Sequence, residues 1–155
     1  MHVERSGEYW RLNIDYTRIR IDFKDYIDII NDKENLSQEK IERLISIVER
    51  GNFLNSIEYH WLDNIKFEIT NDIIDSILQY TRSVPVAGNP ELFIKLANQI
   101  LYFDNVNEDA LSVKCSALVY LGKHSLAKSA FDIFCREYEA IYDQPFDRTF
   151  HETVT

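Results

Sequence analysis

The chain has 155 residues, 45% of them hydrophobic and 13% aromatic, which is the length of one domain with enough apolar volume for a real core. Its 17 Lys and Arg stand against 26 Asp and Glu, a net charge of −9 with no basic run, and this weighs against nonspecific nucleic-acid binding, which needs clustered cations. Only four Gly and three Pro exclude a many-turned all-β chain or a low-complexity one.

From Tyr9 to Ile21 the pattern is period two: Leu12, Ile14 and Tyr16 alternate, and Ile19 and Ile21 follow. This predicts a strand or hairpin, which either packs on the helices or continues a sheet lying upstream, because a lone strand leaves its edges open. At Asp22 the period changes. Phe23, Tyr26, Ile27 and Ile30 form a first helical stripe with Asp22 as its cap. Ser37 is placed to cap a second helix, with Lys40 at the fourth position, an apolar face of Ile41, Leu44, Ile45 and Val48, and Gly51 at its end. A long central helix is predicted from Ser56 to Arg82, with Ile57, Trp61, Ile65, Ile69, Ile73, Ile77 and Leu78 facing inward. Phe67 and Ile74 lie off that stripe, which predicts burial on two sides.

The run from Ser83 to Asn89 breaks the helix. Asn89 caps the next one and Pro90 takes its first position, where a missing N–H costs nothing. That helix reaches Tyr102, and Asp104 or Asn105 is read as the cap of another spanning Val106 to Leu121; Asn105 and Glu108 have capping-box spacing. Leu121-Gly122-Lys123 separates it from a last long helix, His124 to Ile141. There Ala127, Phe131 and Phe134 form a small-large pattern that lets the two helices of a hairpin approach closely. Pro145 stops the helix, and Phe146 and Phe150 fold back as a terminal cap. The fold class expected is all-α, with tetratricopeptide-like helical hairpins, a long central helix and a short N-terminal β strand or hairpin.

Residues that carry chemistry are sparse. His2, His60, His124 and His151 stand singly; His60 alone has Asp63 three and Asn64 four positions on, with no further ligand in view. No metal is expected. Carboxylates such as Glu137 and Glu139 read as solvated faces, and neither a Gly-rich phosphate loop nor a nucleophile elbow is present. No catalytic residue and no cofactor is therefore expected, and the chain is read as a nonenzymatic protein. Cys115 and Cys135 fall on the two helices of the last hairpin and read as small buried hydrophobes in a reducing compartment. Without a signal-peptide pattern or a membrane-length apolar run, a cytoplasmic location is expected.

The run Gly51-Asn52-Phe53-Leu54 followed by Trp61 and a long helix resembles the bacterial transcriptional activator domain of the Streptomyces antibiotic regulatory protein type. The stretch Leu101 to Ala110 is similar to the same family, which usually has Asp-Pro where this chain has Asp104-Asn105. Gly122 and the Ala127–Phe131 pair match the tetratricopeptide hairpin within that domain. Gly7 to Leu12 resembles the last strand of the winged-helix DNA-binding module that precedes it, and Ile21-Asp22-Phe23 resembles the junction. The resemblance implies residues 1–21 as a remnant of an upstream winged-helix module and residues 22–155 as the helical activator domain. The recognition helix would then lie upstream, with Met1 an unusual start.

A repeat scaffold offers a concave face built from the first helix of each hairpin. On Val106–Leu121 the core positions are Leu111, Cys115 and Leu118, which turns Asp109, Ser112, Ser116, Val119 and Tyr120 toward a groove. The small side chains at 112 and 116 leave room for a bound segment. Trp61 is a further candidate, although a Trp on an inner stripe is ordinarily core. For the serines the plain alternative is ordinary surface. Expected partners are proteins: the chain's own upstream DNA-binding or sensor parts, the transcription machinery, or a second copy in a homodimer. Two other readings stand beside this one. One is a free-standing tetratricopeptide adaptor; the other is a small-molecule effector domain with a pocket between the long helix near Trp61 and the terminal hairpin.

Overall fold

In the computed structural model, which describes residues 2–7, 9–13, 22–32, 35–51 and 57–154, short polar side chains cap several helix starts. Seven α-helices are present among these residues: α1 (Asp22–Ile30), α2 (Gln38–Val48), α3 (His60–Ser83), α4 (Pro90–Phe103), α5 (Glu108–Tyr120), α6 (His124–Tyr142) and α7 (Phe150–Val154). Ahead of them β1 (His2–Ser6) and β2 (Tyr9–Asn13) pair antiparallel, from His2 opposite Asn13 to Ser6 opposite Tyr9. The stretch with strand periodicity overlaps β2; its remainder, 14–21, lies outside the described residues, as do residues 52–54 of the Gly-x-Phe-Leu run and Ser56. Residues 57–59 are not helical and α3 begins at His60, four residues later than the sequence suggests. No helix of the described residues is long and apolar enough to cross a membrane.

Ser37 caps α2 by accepting from the Lys40 N–H at 3.3 Å, and Asn89 caps α4 by accepting from the Leu92 N–H at 3.2 Å with Pro90 at the first helical position. Both agree with the sequence expectation. The cap of α5 does not. Asn107, rather than Asp104 or Asn105, accepts from the Ala110 N–H at 3.0 Å, and the helix begins at Glu108. The reason is that the Asp104 carboxylate is already engaged: it accepts from the Val106 N–H at 3.3 Å and from the Asn107 side-chain amide at 3.0 Å. That turn orients the true cap. At the other end of α5, Gly122 takes φ +71°, so that Lys123 N–H reaches Leu118 O at 2.8 Å and Gly122 N–H reaches Val119 O at 2.9 Å. This pair of bonds closes the helix and reverses the chain.

Two apolar cores result, and α5 is the wall between them. Ala110 and Ala117 face the first core, which gathers Tyr26 and Ile29 of α1, Ile41, Leu44 and Ile45 of α2, Ile73 and Ile77 of α3, and Leu96 and Ile100 of α4. Leu111 and Cys115, about 100° further round the helix, face the second core with Phe131 and Phe134 of α6. Phe146 and Phe150 close that second core as expected, with ring centroids 5.1 Å from Phe134 and 5.7 Å from Phe131 respectively. Edge-on ring pairs of this kind add to the burial itself.

The inward stripe expected on the long helix fails over its first half: Ile73, Ile77 and Leu78 are buried, but Trp61 is 66% exposed and Ile65 37%. Burial on a second side fails there too, since Phe67 is 67% exposed. Length explains this. With 24 residues α3 spans roughly 36 Å, whereas α1 with 9 and α2 with 11 span roughly 14 and 17 Å. The short helices cover one half of the long one, and the first turns of α3 overhang.

Candidate functional site

Because two sides of α5 are buried, only a third remains to meet solvent. That third side carries Asp109, Ser112, Ser116, Val119 and Tyr120, whose spacing of three, four, three and one places them on one arc. Ser112, Ser116 and Val119 are half-buried, while Asp109 and Tyr120 are exposed at the two ends. Asp109 is held: its carboxylate accepts from the Arg82 guanidinium at 2.7 Å, joining the end of α3 to the start of α5. Five of the six sequence candidates therefore share a face. Trp61 does not join Asp109, since it lies roughly 30 Å along α3 from Arg82. It stacks instead on Tyr59, ring centroids 6.4 Å apart and planes 18° from parallel.

A second feature had no sequence signal. A cavity of about 320 Å³ opens where α1, the end of α2 and the middle of α3 converge. Phe23 and Tyr26, stacked with centroids 5.8 Å apart, line it on the α1 side. Ile47 and Val48 line it from α2, Ile69 and Ile73 from α3, and Phe103 from the end of α4. Among the described residues its charged groups are three. Arg50 donates to both oxygens of Asp22, at 2.6 and 2.7 Å, so these two neutralise each other. Lys66 donates to the Ile57 carbonyl at 2.7 Å, and among the described residues no carboxylate pairs with it. Thr70, also lining the cavity, donates its hydroxyl to the Lys66 carbonyl at 2.9 Å. The cavity thus has an apolar wall, one internal ion pair and one surplus positive charge. Its place differs from the expected pocket between Trp61 and the terminal hairpin, because the packing of α1 and α2 on α3 makes it.

No group of three or more metal-ligating side chains occurs among the described residues, and His60 meets only Asp63, at 3.5 Å. Cys115 is buried and donates its thiol to the Ala127 carbonyl at 3.5 Å. Burial pushes that thiol up to about 11, which leaves it protonated and unreactive at neutral pH. Cys135 is half-buried, and its thiol is likewise raised by burial.

Comparison of the chain with family models, with curated proteins and with solved structures returns no match.

Proposed function

We propose that this chain is a noncatalytic protein-interaction domain of a bacterial transcription regulator, cytoplasmic and tetratricopeptide-like, which modulates a winged-helix DNA-binding module joined to its N-terminal hairpin. The observation that carries the reading is α5, a helix buried on two sides whose third side keeps the small residues Ser112 and Ser116 between Asp109 and Tyr120. A helix so fixed is a rigid rail, and small side chains at its centre admit a partner's helix or extended segment. The partner is protein: the regulator's own DNA-binding or sensor parts, the transcription machinery, or a second copy. A charge of −9 favours a basic partner patch and disfavours DNA itself. Binding acts by shifting how the DNA-binding module is presented, a population shift. The resemblance to the activator domain family rests on the residues quoted for it and on nothing beyond them.

The test uses the native polypeptide. Its mass and the sequence joined to the hairpin are determined first, and S112R/S116R is then compared with the wild type in DNA binding and promoter output. A winged-helix module in the same polypeptide, with output altered in the double variant and helicity retained, supports the proposal. A native polypeptide without any DNA-binding module overturns it in favour of a free-standing adaptor.

The cavity walled by α1, α2 and α3 favours a second reading, an effector-binding domain.

A further inference from the structure

From the cavity's chemistry we infer a binding site for a small amphipathic monocarboxylate, with its charge at Lys66 and its apolar body between the Phe23–Tyr26 rings and Ile69 and Ile73. The volume, about 320 Å³, lies at the small end of ligand pockets, which run from roughly 300 to 1,000 Å³. That size suits a medium-chain or single-ring acid. Charge selects the sign of the ligand. Asp22 and Arg50 form a two-pronged pair and present no net charge, whereas the Lys66 ammonium has three donors and, among the described residues, only the Ile57 carbonyl to receive one of them. A carboxylate takes the remaining donors and neutralises the cation, and such charge-assisted bonds are the strong ones. A single cation fits a single negative group. Phosphate, which calls for clustered cations or a row of backbone N–H groups, finds neither among the described residues that line the cavity.

The apolar end is equally defined. Tyr26 is 5% exposed and Ile73 6%, so the inner wall is already dehydrated, while Phe23 at 44% exposure stands at the rim. A hydrocarbon body entering past Phe23 removes apolar surface from water at about 25 cal/mol per Å². Occupancy adds contacts between α1 and α3, which the Tyr26–Asp72 hydrogen bond already joins beside the cavity. This site is independent of the α5 face, so either can fail alone.

The experiment titrates the 155-residue chain with octanoate and, in parallel, with 1-octanol, following isoleucine methyl resonances by NMR. Octanoate is expected to shift the Ile47, Ile69 and Ile73 methyls in a saturable manner and to bind at least tenfold more tightly than 1-octanol. K66M is expected to remove that preference while leaving 1-octanol binding unchanged. I69W, which fills the cavity from one wall, is expected to abolish both. Equal affinity for the acid and the alcohol in the wild type overturns the role of Lys66. Shifts confined to methyls elsewhere, no shift at all, or undiminished binding in a folded I69W protein overturns the site.

Discussion

Tyr26 donates its hydroxyl to the Asp72 carboxylate at 3.3 Å, a bond that ties α1 to α3 across 46 positions of sequence. It sits beside the cavity wall that the Tyr26 ring itself provides. Tyr26→Phe keeps the ring and removes the bond. A loss of about 1 kcal/mol is expected in urea unfolding, the ordinary net worth of one hydrogen bond.

The same residue makes a pH prediction. Burial first, and the Asp72 charge and hydrogen bond second, raise the Tyr26 phenol well above its ordinary value near 10. Below pH ~10 the hydroxyl is protonated in folded and unfolded chains alike, and its contribution is intact. Above that pH the unfolded chain releases the proton while the folded chain still holds it. Stability therefore falls as pH rises, until the folded group also titrates. The wild-type stability curve should drop toward that of Tyr26→Phe between neutral pH and pH ~11. A constant difference across that range would show that the phenol ionises normally.

Helix starts supply a sharper comparison. Asn107→Ala removes the bond to the Ala110 N–H and should cost about 1 kcal/mol, whereas Asn105→Ala should cost a few tenths at most. Asp104→Ala is expected to resemble Asn107→Ala, because Asp104 holds the Asn107 amide at 3.0 Å. Thermal melts of the three variants decide it. The order Asn105 above Asn107 would restore the cap that spacing alone favours.

These caps also mark what the sequence could convey. Ser37, Asn89-Pro90 and Gly122 are legible because each acts on backbone within four residues of itself. Asn107 was missed because Asp104, Asn105 and Asn107 are all cap-forming residue types within four positions, and only the turn geometry ranks them. The α5 face was legible from helical spacing, as was the second core through Ala127, Phe131 and Phe134. The cavity was not. It joins Phe23, Ile47 and Ile69, which stand far apart in sequence, and no periodicity reports where three helices fail to fill a space.

Thiol chemistry probes the second core without a ligand. Cys115 is buried against the Ala127 carbonyl, and its thiol is raised to about 11, while Cys135 is half-buried. An aromatic disulfide reagent at mildly alkaline pH should modify Cys135 first, and Cys115 only as the α5–α6 seam opens. Phe134→Ala, which empties part of that core, should speed labelling of Cys115 more than that of Cys135 and cost roughly 3 kcal/mol. Mass spectrometry of the labelled peptides reads the order. Equal rates for both cysteines in the wild type would place Cys115 outside the core.

The overhang of α3 yields the last contrast, because helical period alone assigns Trp61 and Ile77 to one buried stripe. Ile77 is fully buried and Trp61 is 66% exposed. Ile77→Ala should cost roughly 2–5 kcal/mol, through lost transfer energy and the cavity left behind. Trp61→Ala should stay within about 0.5 kcal/mol, since Trp61 is mostly exposed and stacks on the Tyr59 ring, itself 60% exposed. Urea titration of both variants gives the answer directly. A cost for Trp61→Ala comparable to that of Ile77→Ala would mean that the first turns of α3 are covered in solution, by another part of the polypeptide or by a second copy. Unchanged stability leaves the Tyr59–Trp61 pair as open surface, and the fold is then carried by the half of α3 that α1, α2 and α4 enclose.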